Sequence, residues 1–161
     1  MEQSAAAAQS IRPRFSFLHH ISLPCRDLEE SKKFYIEVLG GELYHDTPGF
    51  SEVKLADIII GMSEQRGGWT GHDDEYPHYG LNVDAASFAL GKPWLDGCAV
   101  PNYGWTRNYK TALLYFRDPS GNLIEIYCGK DLTIAESFPR GAKQGGSYVI
   151  DLAGLFYDWR G

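Results

Sequence analysis

The sequence predicts an α+β fold made of two tandem βαβββ modules, and three observations carry that expectation. First, short apolar runs of strand type recur along the chain, bounded by glycine, proline and acidic turn residues. Second, helix signals occur twice, each following a strand directly. Third, the stretch His20-Ile-Ser-Leu-Pro-Cys-Arg-Asp27 resembles His78-Tyr-Gly-Leu-Asn-Val-Asp84, so the pattern restarts midway.

Taken in order, Phe15 to Leu23 alternates loosely between apolar and polar or small residues and reads as a strand. Asp27 opens a helix, with Glu30 three residues later as in a capping box. Leu28, Phe34, Tyr35, Val38 and Leu39 supply its apolar face, and Gly40-Gly41 stops it. Glu42–Asp46 and Ser51–Leu55 are strands around a turn at Pro48-Gly49, and Asp57–Met62 is a further strand. Residues 67–77 read as a connecting loop. The second copy opens with the strand His78–Val83. Asp84 caps a helix that Gly91 and Pro93 weaken and Gly97 ends. Tyr103–Trp105, Thr111–Arg117 and Asn122–Cys128 complete it. The expected organisation is a tail over 1–14, one domain over 15–130 with modules of about 15–65 and 76–130, and a C-terminal extension over 131–161. In that extension, Val149, Ile150, Leu152, Ala153, Phe156 and Tyr157 are expected to form a helical face against the body or a second subunit.

Composition narrows the function. The chain has 161 residues, 43% hydrophobic, which suffices for one buried core. A net charge of −6 without a basic cluster argues against a nucleic-acid partner. No apolar run approaches the roughly 20 residues that span a bilayer. Cys25, Cys98 and Cys128 are widely spaced, so a disulfide framework is not expected and a reducing, cytoplasmic setting fits.

Alternation in strands assigns faces. His20 and Ser22 share one face; so do His78, Gly80 and Asn82, and so do Leu123, Glu125 and Tyr127. Glu125 stands among apolar residues, where an unpartnered carboxylate is costly. Two histidines and this carboxylate, if convergent, would form the facial triad typical of non-haem Fe(II).

The segments LHHISLPCRDLEESKKFYIEVLGGEL at 18–43, HYGLNVD at 78–84 and LYFRDPSGNLIEIY at 114–127 resemble the vicinal oxygen chelate superfamily. That superfamily includes glyoxalases, extradiol dioxygenases, and fosfomycin- and bleomycin-resistance proteins. The resemblance implies curved mixed sheets around a metal-binding cavity and a divalent metal, Fe(II) first, with Mn, Ni or Zn as alternatives. It implies His20, His78 and Glu125 as ligands and Tyr115 as the catalytic group bonding a substrate oxygen. A small-molecule substrate and a homodimer, some members exchanging modules, are implied as well. The resemblance favours an extradiol-type dioxygenase. The alternatives are a glyoxalase-like isomerase or lyase, a fosfomycin-resistance-type thiol transferase, or a non-catalytic protein that binds an aromatic or antibiotic molecule.

Departures matter. Aligning 57–62 with 122–127 puts Ile60 opposite Glu125, so the fourth ligand of lactoylglutathione-type enzymes is missing. Thr106 stands nearest to the slot of the acid–base histidine of ring-cleaving members; Arg107, Lys110 and His72 are the candidate substitutes. Ser22 matches a hydroxyl residue of the fosfomycin-modifying members, whose glycine- and serine-rich loop this chain lacks. Ser22, Trp105, Arg107 and Lys110 are the expected substrate contacts, and the two cations would suit an anionic substrate.

Overall fold

The computed structural model describes residues 17–65, 77–106, 111–129, 138–144, 147–149 and 152–159. The first module runs β1 (His20–Cys25), α1 (Leu28–Lys33), β2 (Glu42–Thr47), β3 (Phe50–Leu55) and β4 (Ile58–Glu64). The second runs β5 (His78–Asn82), α2 (Ala85–Gly97), β6 (Asn102–Thr106), β7 (Ala112–Arg117) and β8 (Leu123–Cys128). Each forms a four-stranded mixed sheet, ordered β1-β4-β3-β2 and β5-β8-β7-β6. In both, the first strand lies at an edge, parallel to the last.

Local chemistry explains both helices. The Asp27 carboxylate accepts the backbone N–H of Glu30, and Asp84 does the same for Ser87, so each N-terminus has its side-chain cap. The first helix changes after Lys33 into a π-helical turn over Phe34–Val38, which turns Phe34, Tyr35 and Val38 into the core. Gly41 then passes so close to β3 that an added Cβ would lie 2.4 Å from Val53 Cγ1. In the second helix Pro93 does not break the element, which continues to Gly97. The ring sits on an exposed stretch of helix, while Phe88 and Leu95 anchor it from below.

One core joins the modules. Val53, Ile60 and Met62 of the first sheet, Leu114, Phe116 and Ile124 of the second, and Phe34, Phe88 and Leu95 of the helices belong to a single buried cluster. Polar contacts reinforce the junction at the turn between β7 and β8. Tyr35 Oη donates to Asp118 Oδ2 at 3.1 Å, Asn122 Nδ2 donates to the Pro24 carbonyl at 3.0 Å, and the Arg26 N–H donates to Ser120 Oγ at 3.0 Å.

The C-terminal extension differs from the helix expected over 147–161. Ala142–Gln144 and Ser147–Val149, labelled β9 and β10, pair as an antiparallel hairpin, and Ala153–Leu155 forms a single 3-10 turn. Apolar periodicity in a short segment does not separate a helix from a strand and a turn, and here packing against the body decided. Leu152, Leu155 and Trp159 are buried, as the apolar content of the segment requires.

Candidate metal and substrate site

Register fixes what faces what on the second sheet. His78 pairs with Leu123, Gly80 with Glu125, Tyr115 with Glu125, and Trp105 with Leu113. Paired residues share a face, so His78, Gly80, Glu125, Tyr115 and Trp105 all stand on the side away from α2 and the shared core. There His78 Nε2 lies 3.4 Å from Glu125 Oε2. The Tyr115 hydroxyl donates to the same Oε2 in a short hydrogen bond. The His78 ring meets Tyr115 edge-on at 5.4 Å between centroids, and Trp105 stacks on Tyr115 at 6.5 Å and 14°. Glu125 and Tyr115 are buried, whereas the His78 side chain keeps about a fifth of its surface open.

This pair has the spacing of metal donors. Two donors about 2.0–2.2 Å from one ion stand roughly 3.0–3.5 Å apart, the chord across an octahedral or tetrahedral angle. Gly80 opposite leaves a notch, since a Cβ there would lie 3.5 Å from Glu125 Oε1. The Tyr115 hydroxyl holds the carboxylate, as the outer partners of metal ligands commonly do.

The chain does not bring His20 to this pair. His20 stands exposed on the edge strand of the first sheet, its Nδ1 3.0 Å from His19 Nδ1. Among the described residues, no group of three or more His, Cys, Asp or Glu side chains is placed to hold a metal ion. Ser22 does approach: with Ile21, Leu23, His78, Tyr79 and Leu123 it lines a cleft of about 360 Å³ where β1 and β5 adjoin. A larger apolar cleft of about 840 Å³ includes Gly80 and Trp94 but neither His78 nor Glu125, so the donor pair borders the smaller of these two clefts.

The counterpart of Glu125 in the first module is corrected. His20 pairs with Ile59 and Ser22 with Gly61, so the residue matching Glu125 is Gly61. Ile60 pairs with Ile21 and is fully buried in the core. A one-residue shift in a strand moves a side chain to the opposite face, and the sequence alignment was displaced by that one residue. The slot holds no carboxylate either way. Thr106 is also placed: it pairs with Ala112, off the face of Glu125, and its hydroxyl donates to the Thr111 carbonyl at 2.8 Å. Arg107, Lys110 and His72 lie outside the described residues.

What sequence reasoning missed is the segment after the domain. Leu152 and Leu155 pack in one cluster with Trp105, Leu113, Tyr115 and Leu123, on the face that carries Glu125. Its apolar content was legible, but not the surface it would cover.

Fold and site define a class: two βαβββ modules, the second presenting imidazole and carboxylate donors on the face of its sheet away from α2. A model of the Glyoxalase/Bleomycin resistance protein/Dioxygenase superfamily matches residues 17–94. It is 28% identical over 115 residues to a protein named glutathione transferase FosA from Serratia marcescens, covering 70% of this chain and 80% of that one. Among solved structures, a lactoylglutathione lyase from Agrobacterium tumefaciens superposes with a TM-score of 0.61 at 21% identity, covering 73% of this chain and 96% of that chain. The fosfomycin resistance protein FosX from Mesorhizobium loti superposes with a TM-score of 0.58 at 17% identity, covering 74% and 95%. These two likenesses are of fold.

Proposed function

We propose that this chain acts as a homodimeric, metal-dependent enzyme that transfers a thiol to a small substrate bearing adjacent oxygens. The metal would be held by His78 and Glu125 of one copy and His20 of a second. The observation that carries the reading is the His78–Glu125 pair, 3.4 Å apart beside Gly80, in a chain whose His20 lies exposed on another edge strand. The donor set suits Fe(II), and Mn, Ni or Zn as well; such an ion supplies Lewis-acid polarisation of chelated oxygens. Tyr115 orients the Glu125 carboxylate, Trp105 backs the Tyr115 ring and keeps water from it, and Ser22 borders the cleft leading to His78. Arg107 and Lys110 would attract an anionic group of the substrate. Group transfer is preferred to extradiol ring cleavage because Thr106, in the acid–base slot, is turned off the Glu125 face and bonded to Thr111. The relative named as a glutathione transferase supports the same choice.

A mixed-variant experiment tests the shared site. His20→Ala and Glu125→Ala proteins should each lose the metal that the wild type retains when purified without chelator. Unfolded together and refolded at equal amounts, they should regain about a quarter of an ion per chain, because half of the dimers would hold one intact site. No recovery in mixed dimers, or full metal retention by Glu125→Ala, overturns the ligand assignment. For the reaction, metal-dependent adduct formation is expected between glutathione and small epoxides that carry a neighbouring acid oxygen: the sulfur bonds to a ring carbon, the ring C–O bond opens, and the released oxygen takes up the thiol's proton. Oxygen uptake with catechols, without adduct formation, would restore the dioxygenase reading.

A further inference from the structure

We infer that the segment Leu152–Trp159 is part of the substrate site, and that Leu152 and Leu155 form the wall that limits the size of what binds beside His78 and Glu125. This rests on the metal reading above and adds the residues that set specificity.

The sheet fixes this placement. Trp105, Leu113, Tyr115 and Leu123 project from the face that carries Glu125, and the packed cluster they form is completed by Leu152 and Leu155. Both leucines are buried, and Tyr115, whose hydroxyl reaches Glu125, is fully covered. A tail that merely trailed along the surface would leave these rings open to water.

The segment is also fastened beyond the leucines. The Phe156 ring lies against the Arg117 guanidinium, with Cζ 4.0 Å from the ring centroid, a cation–π arrangement. The Tyr157 hydroxyl donates to the Arg117 carbonyl at 3.1 Å. Trp159 packs edge-on against Phe34 at 5.5 Å, inside the core shared by both modules. Anchored at its far end in that core, the turn Ala153–Leu155 cannot retreat without breaking these contacts. The sheet face beside the donors is therefore covered by an apolar wall of fixed position, so a substrate chelated there would meet it, which suits a compact body and excludes a bulky one.

Two chelators of different body test the wall. Acetohydroxamate and benzohydroxamate offer the same pair of adjacent oxygens and differ in the methyl or phenyl group behind it. Their affinities for the Mn(II)-loaded protein are read by titration calorimetry, in the wild type, Leu152→Ala and Leu155→Ala. Truncation of either leucine should tighten benzohydroxamate about tenfold, the scale of a small change in an apolar pocket, and move acetohydroxamate by less than about twofold. Leu155→Val is the milder step if the alanine variants do not fold, and should shift the same ratio in the same direction by less. Equal changes for both chelators, or no change for either, overturn the wall while leaving the metal site standing. Failure of Mn(II) to bind the wild type overturns the metal reading and the inference with it.

Discussion

Tyr115 contributes through the oxygen it holds. Its hydroxyl donates to Glu125 Oε2, which lies 3.4 Å from His78 Nε2, so removing it takes away one restraint on the orientation of a buried carboxylate. Tyr115→Phe is therefore expected to keep the fold and weaken metal binding by about tenfold, the lower end of what loss of an outer partner costs. Competition with a chromogenic chelator measures it. An unchanged affinity would mean that Tyr115 serves the substrate alone. Gly61 makes a related point. It stands where the second module has Glu125, and an added Cβ would lie 3.2 Å from Ser22 Oγ. The first module thus presents His20 and Ser22 without a matching acid at the Glu125 position.

At the scale of elements, the turn between β7 and β8 ties the two modules together and contains a buried acid. Asp118 accepts from the backbone N–H groups of Ser120 and Asn122, from Asn122 Nδ2 and from Tyr35 Oη. Burial outweighs these bonds and pushes its carboxyl up to about 6, from an ordinary value of 3.8. Burial likewise raises the Tyr35 and Tyr79 hydroxyls, which therefore stay protonated as donors. The folded state then holds its proton more tightly than the unfolded chain does. The Asp118 contribution to stability is full below about pH 4 and is lost as pH rises through about 6. Urea unfolding at a series of pH values should show stability falling across that window. In Asp118→Asn this part of the slope should vanish, whatever the variant's absolute stability; a persisting slope would assign it to another group.

The molecule as a whole is held by one core fed by both sheets and both helices. Phe34 sits at its centre, fully buried, against Tyr35, Phe116 and Trp159. Phe34→Ala should cost about 3–5 kcal/mol. Because the modules share this core, unfolding should remain a single transition with coincident fluorescence and circular dichroism curves. Two separate transitions would show the modules to be independent. Among the described residues, no helix is long and apolar enough to cross a membrane, and the three cysteines are free. Cys25 is buried, which raises its thiol to about 11 and leaves it unreactive.

Local chemistry sufficed for much of this. Alternation grouped His78 with Gly80 and Glu125 with Leu123 and Tyr127, the Asp27 and Asp84 caps started both helices, and the repeated His-to-Asp stretch announced two modules, because these signals act within a few residues of chain; that the two groups share a face was decided by the pairing of β5 with β8. Other features depend on contacts between distant segments. The one-residue register that puts Gly61 rather than Ile60 opposite Ser22 is set by how β4 pairs with β1. The separation of His20 from His78 and Glu125 follows from how the modules join through one core. The seat of Leu152 and Leu155 follows from which face of the second sheet still lacked cover. Periodicity reports which side chains share a face, while the partner of that face is chosen by packing across the whole chain.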